Sequence, residues 1–328
     1  MIQYHESFAN LPQTKAWDAV SPENGFATLL GNPPVETPQS RRDEDEFGMT
    51  LSVLVPSSLV REAEDQREAT RKLGYVARAA AVFRADELVI FPDEDGENKW
   101  GGEFVETVLR YAATPPYLRK EVWGKRDELR YAGILPPVLV SSTTADDSDE
   151  LPALREGIVT EVGPDDRVRV NCGMQHPISL FVPPGMDATE GERVAVRISS
   201  REPVRARIVD EPLPGFDVSR MDLTEALGRP DAGVRIATSR YGEPLSVPRL
   251  GELTARIADA DGMTVVFGSP GRGLPDMLGM TPEDVADVEP SVGPGFDLWL
   301  NTIPRQGSDV VRTEEAMFAS LASLTLTE

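Results

Sequence analysis

From Leu51 onward, short apolar runs and longer amphipathic runs alternate, and this alternation restricts the chain more than any other feature of its sequence. Leu51 to Val55 reads as a buried strand, and Ser57 or Ser58 is placed to cap a helix with Glu62, Glu64 and Asp65 near its positive end. A second strand is expected over Glu87 to Phe91, ending at the turn Pro92 to Gly96. A helix should then run from about Gly102 to Ala113, where Pro115 and Pro116 stop it. Strand–helix–strand–helix order implies a parallel sheet with helices on its faces.

The alternation breaks near Pro136 and Pro137, and Ser141 to Glu150 reads as a polar, acidic linker. Five short strand-like runs follow: Gly157 to Val162, Arg167 to Asn171, Ile178 to Val182, Arg193 to Ser199 and Arg205 to Val209. That spacing predicts a small barrel of the OB type over residues 151–211. Such barrels bind oligonucleotides or act as rigid spacers. After Pro214 and Gly215 the α/β pattern resumes. Strands are expected at Val234 to Thr238, Thr264 to Phe267 and Phe296 to Leu300, and helices at Leu250 to Ala260 and Thr313 to Leu324. The barrel therefore interrupts one discontinuous α/β domain, 49–140 and 212–328. Residues 1–48 lack periodicity, carry five prolines and the charged run Arg41 to Glu46, and read as a disordered tail; the alternative is a true translation start at Met49.

Composition removes several function classes. No apolar run approaches the roughly 20 residues needed to span a bilayer, and no secretory signal pattern is present, so a cytoplasmic protein is expected. One cysteine and two histidines leave no disulfide and no basis for a metal site; Cys172 reads as an inert buried thiol. Net charge is −22, from 55 acidic and 33 basic residues, which by itself opposes binding to phosphate. Only five of the bases are lysines, at 15, 72, 99, 120 and 125. An acid-rich, lysine-poor surface resembles that of proteins from salt-saturated cytoplasm, where charge is screened within about 3 Å at 1 M salt. Net charge then says little about partners. Residues 66–131 balance twelve bases against twelve acids and offer a relatively basic face.

Two C-terminal loops carry the strongest chemical signal. The first, Phe267 to Leu274 (FGSPGRGL), lies between a buried strand and a helical segment, and its glycines at 268, 271 and 273 allow close approach of a ligand to backbone. It lacks the lysine of a phosphate loop and the glycine order of a dinucleotide fingerprint; a plain strand-to-helix turn is the alternative. The second, Asn301 to Ala316 (NTIPRQGSDVVRTEEA), follows a strand and leads into the last helix. Both should emerge at the carboxyl edge of the sheet, where open α/β folds bind ligands, and Thr238 to Gly242 should add a third loop there.

These two loops, with the segments LSVLVPSSLVREAEDQREATRKLGYVARAAAVFRADELVIF and TPPYLRKEVWGKRDELRYAGILPPVL, resemble the archaeal and eukaryotic branch of SPOUT-superfamily RNA methyltransferases over about Met49 to Leu324. The resemblance implies an α/β domain with a C-terminal trefoil knot, an OB-like insertion, a homodimer, and S-adenosylmethionine bound in bent form between the loops. It places backbone groups of Gly268, Gly273, Ile303 and Gln306 around adenine and ribose. Thr238, Ser239, Ser269, Pro270, Leu274, Asn301, Pro304, Gly307, Val310 and Thr313 complete the expected cofactor set. Methyl transfer from a sulfonium is accelerated mainly by alignment. An acceptor such as N3 of uridine in ribosomal RNA also needs its negative charge stabilised, for which Arg84, Arg240 and Arg312 are the candidates. Tyr117, Arg119 and Lys120 are expected on the RNA surface, with Tyr117 as a stacking platform. The rival readings are a non-catalytic RNA-binding protein that keeps the fold and, more remotely, a nucleotide-binding enzyme.

Overall fold

A computed structural model describes residues 50–138, 152–164, 167–260, 262–286 and 295–326. The expected tail over 1–48 and the linker Ser141 to Glu150 lie outside the described residues.

Six parallel strands form the larger sheet: β1 (Thr50–Pro56), β2 (Glu87–Phe91), β8 (Asp217–Arg220), β9 (Val234–Pro244), β10 (Gly262–Val266) and β11 (Leu298–Asn301), in the order β11-β9-β10-β1-β2-β8. Side chains alternate across β1, so its two faces enter two different cores. Leu51, Val53 and Val55 pack with residues of α1 (Gln66–Val82), α2 (Gly102–Ala113), α5 (Val247–Asp259) and α8 (Thr313–Leu324). Leu54 packs on the opposite face with α4 (Leu223–Leu227), α6 (Leu274–Met277) and α7 (Pro282–Ala286). Fully burying each such leucine or valine contributes about 1.5–3 kcal/mol. A short α3 (Arg119–Trp123) follows α2.

The second sheet has five antiparallel strands, β3 (Ala153–Val162), β4 (Arg167–Asn171), β5 (Ile178–Phe181), β6 (Arg193–Arg201) and β7 (Val204–Val209), ordered β5-β4-β3-β6-β7. Its ends, β5 and β7, come alongside each other without a hydrogen-bonded ladder, giving a nearly closed barrel. Val159, Val168, Val170, Cys172, Leu180, Val196 and Ile198 fill it. Burial pushes the Cys172 thiol upward, away from thiolate.

Three expectations need correction. The helix after β1 starts at Gln66, with Asp65 as its cap accepting the Glu68 N–H at 2.7 Å. Ser57 and Ser58 instead sit buried in the preceding turn, facing Asp93. The segment Thr238–Gly242 is no free loop: β9 continues to Pro244, and these residues form an excursion within it. Trp299 pairs with Ala237, whereas the next residue, Leu300, pairs with Glu243. Gly242 makes the return possible, since a Cβ there would lie 2.7 Å from the Trp299 carbonyl carbon. Finally, β8 and α4 escaped the sequence because they are short and only partly apolar.

Candidate functional site

The loops after β10 and β11 and the excursion in β9 meet at the carboxyl edge of the large sheet, around one cleft. Its lining includes Thr238, Ser239, Arg240, Gly268, Ser269, Gly273, Asn301, Ile303, Gln306, Val310 and Thr313. The cleft has a cavity volume of about 120 Å³. It is a narrow slot. Phe267, Leu300, Val311 and Ala316 add apolar wall, while Thr302 and Asp309 add polar groups.

Local chemistry explains the shape. The first loop folds on itself: the Ser269 N–H donates to the Arg272 carbonyl at 3.0 Å and the Arg272 N–H donates back at 3.1 Å. Gly271 takes φ 69° in this turn, a conformation that favours glycine. At Gly268 a Cβ would stand 2.9 Å from both the Gly273 Cα and the Leu274 nitrogen, so the residue is glycine because backbone passes behind it. The two loops are tied where the Thr313 hydroxyl donates to the Gly268 carbonyl at 2.8 Å. Asn301 ties the second loop to the excursion, donating from Nδ2 to the Arg240 carbonyl at 3.0 Å and accepting the Ile303 N–H at 3.1 Å.

Several backbone donors expected to face a ligand are engaged within the loops. The Gly273 N–H donates to Asp276, the Ile303 N–H to Asn301 and the Gln306 N–H to the Ile303 carbonyl. Pro270, Leu274, Pro304 and Gly307 do not line the slot. Leu274 is fully buried in the second core, below the loop. Their part is in shaping the turns.

Of the candidate arginines, only Arg240 lines the slot, at its exposed rim. Arg84 lies between α1 and β2, at the amino edge of a parallel sheet whose carboxyl edge carries the cleft, so the topology separates them. Arg312 is exposed at the start of α8, where its N–H is capped by Glu315 at 2.9 Å. The arginine the sequence reading missed is Arg272. Arg272 lines the slot, and its guanidinium is held by Asp93 at contacts of 3.1 Å, the side chains being 24% and 5% exposed. Asp93 also accepts from the Ser58 hydroxyl, and Ser58 in turn reaches the Ser269 hydroxyl at 3.2 Å. The hydrogen bond to Asp93 drives the Arg272 pKa further upward and keeps its charge permanent. Each partner stands in a different element, so spacing along the chain could not have revealed the cluster.

Tyr117 and Arg119 are engaged in the fold. The Tyr117 hydroxyl donates to the Glu156 carbonyl at 2.9 Å, and its ring covers Gly173, joining the α/β unit to the barrel rather than offering a face to a base. Arg119 closes the end of α2 by donating to the carbonyls of Thr114 and Ala112, and its guanidinium lies 4.7 Å from the Tyr111 ring. Lys120 is exposed on α3. Among the described residues no group of three or more His, Cys, Asp or Glu is placed to hold a metal, and no helix is long and apolar enough to cross a membrane.

A cleft at the carboxyl edge of a parallel sheet, walled by two loops tied to each other, lies where open α/β proteins bind ligands. The chain belongs to the family described as "Putative RNA methyltransferase", whose model matches residues 50–324. It is 69% identical to an uncharacterized protein of Halobacterium salinarum, over 85% of this chain and all of that one. It is also 30% identical to the human 28S rRNA (uridine-N(3))-methyltransferase, over 88% of this chain and 82% of that enzyme. The mouse enzyme of the same name is 31% identical over 84% and 76% of the two chains.

Proposed function

We propose that the protein is an S-adenosylmethionine-dependent methyltransferase of the SPOUT type, acting as a homodimer on N3 of a uridine in ribosomal RNA. One observation carries this reading: the loops Phe267–Leu274 and Asn301–Thr313 are locked together and share one slot with residues 238–240. The uridine acceptor is supported by the names of the human and mouse relatives. The two C-terminal loops stay close, since α8 packs against α1 and the Thr313 hydroxyl reaches the Gly268 carbonyl, and the trefoil knot is proposed on the family resemblance. The barrel order, in which the first strand lies between the second and the fourth and the third comes beside the fifth, supports the OB-like reading of the insertion.

The slot fits the methyl donor. Adenine is flat and apolar with polar edges, and the lining offers both kinds of group, Leu300, Val310 and Val311 beside Asn301 and Thr302. Bound there, S-adenosylmethionine supplies a methyl group on a positively charged sulfur. The loops hold the reactants in line, which accounts for most of the acceleration such a transfer needs. Arg272, fixed by Asp93, keeps a positive charge beside the slot and stabilises the negative charge that develops on uracil as N3 gives its proton to solvent water and takes the methyl group. Arg240 at the rim guides the RNA.

The test is titration of the pure protein with S-adenosylmethionine in high salt, followed by methyl transfer to ribosomal RNA and mass spectrometry of its nucleosides. N3-methyluridine formed by the wild type and lost in Arg272→Met is the expected result. A folded protein that does not bind the donor would refute the reading; RNA binding without product would favour a non-catalytic RNA-binding protein.

A further inference from the structure

Four of the five barrel strands carry no acidic residue. Strands β4, β5, β6 and β7 contain seven arginines and no carboxylate, inside a protein of net charge −22. Arg197 on β6 and Arg207 on β7 are direct partners in the antiparallel ladder, and like charges placed opposite each other are destabilising. Glu211 neutralises Arg197 through a two-pronged contact. Arg207 and its neighbour Arg205 are exposed, and among the described residues neither meets a carboxylate.

Both lie on the seam where β5 and β7 run side by side without a ladder. The seam opens a groove with about 820 Å³ accessible to the centre of a water molecule, floored by Ile178, Leu180 and Ala206. A second hollow of about 490 Å³, lined by Phe181 and Met186, shares Arg207 with the first. Phe181 is 58% exposed, with the Arg167 guanidinium 3.8 Å from its ring centre. An exposed aromatic ring, guanidinium groups without a carboxylate partner among the described residues and apolar lining, grouped around Arg207, match a single nucleic-acid strand: phosphates pair with the arginines and a base stacks on the ring.

We infer that the β5–β7 seam of the barrel is a binding site for single-stranded RNA, with Arg205 and Arg207 on its phosphates and Phe181 under a base. The inference rests on the RNA methyltransferase reading and adds a second point of contact, on the barrel, to the slot. A phosphate on the seam gives Arg207 the negative partner that Glu211 already gives Arg197.

The experiment measures binding of a fluorescent twelve-nucleotide oligouridylate by the full chain across a potassium chloride series. Arg205→Glu with Arg207→Glu should weaken binding about tenfold or more, and should lower the slope of log K against log salt by about 1.4, near 0.7 per lost phosphate contact. Arg205→Lys with Arg207→Lys should keep the slope, and Phe181→Ala should weaken binding without changing it. S-adenosylmethionine affinity, measured on the same samples, should match wild type throughout, which shows that the variants fold. Equal RNA affinity and slope for wild type and the charge-reversed protein would overturn the seam assignment and leave the methyltransferase reading standing. Loss of donor binding by the wild type would refute that reading alone, whatever the oligouridylate series gives.

Discussion

Replacing Asp93 with alanine probes the cluster that joins the donor loop to the rest of the sheet. Its carboxylate is 5% exposed and receives Arg272 through three contacts of 3.1–3.2 Å, together with the Ser58 hydroxyl. Breaking a fully buried ion pair costs about 3–5 kcal/mol, because the remaining charge loses its partner. Arg272 is about a quarter exposed, so water recovers part of that. Hydrogen bonds to charged groups contribute about 1.5–3 kcal/mol, and the expected loss is about 2–3 kcal/mol. At about 2–4 °C per kcal/mol for a domain near this size, Tm should fall by about 4–12 °C. Calorimetry on Asp93→Ala, Arg272→Met and the double variant reads this directly. If the effect passes through the pair, the double variant should lose at least about 1 kcal/mol less than the sum of the singles. Additivity within about 0.5 kcal/mol would refute the coupling and remove Asp93 as the residue that positions Arg272.

Gly268→Ala places a Cβ against backbone at 2.9 Å and should lower donor affinity about ten- to a hundredfold, since a pocket group displaced by tenths of an ångström no longer fits; titration calorimetry checks it, and wild-type affinity would contradict it. Burial raises the Glu314 pKa, outweighing the Lys72 charge that lowers it. An acid with a raised folded pKa loses stability as pH climbs through the interval between its unfolded and folded values. Glu314→Gln should therefore raise Tm at pH 7.5 and change little at pH 4. Burial also pushes Asp297 upward, but hydrogen bonds and charge from Arg235, with Arg256, overcome it and hold the carboxyl below the usual range. Its contribution is present above about pH 4 and disappears as pH falls through the lowered value, so Asp297→Asn should flatten the acid limb of stability against pH while lowering Tm at pH 7. Tyr117→Phe removes the hydroxyl bond to the Glu156 carbonyl and should cost about 1 kcal/mol, read as a shift in denaturant midpoint without change in donor affinity.

Periodicity alone determined most elements. Glu87–Phe91, Gly102–Ala113, Arg167–Asn171 and Thr313–Leu324 were legible with their boundaries, because a strand or helix shows which side faces the core within its own residues. The two glycine-bearing loops were legible for the same local reason, and Ser269 and Gln306 do line one slot. Tertiary structure alone decided which charges line that slot. Arg84 and Arg272 look alike in sequence, but a parallel sheet sends the turns before and after its strands to opposite edges, and only Arg272 meets a buried carboxylate, 179 residues away along the chain. The same holds for Tyr117, whose partner Glu156 belongs to another sheet, and for the seam of the barrel, where the register of β6 on β7 sets Arg197 against Arg207. An ion pair or a ladder contact depends on distance in space, which carries no mark in the order of residues until the chain has folded.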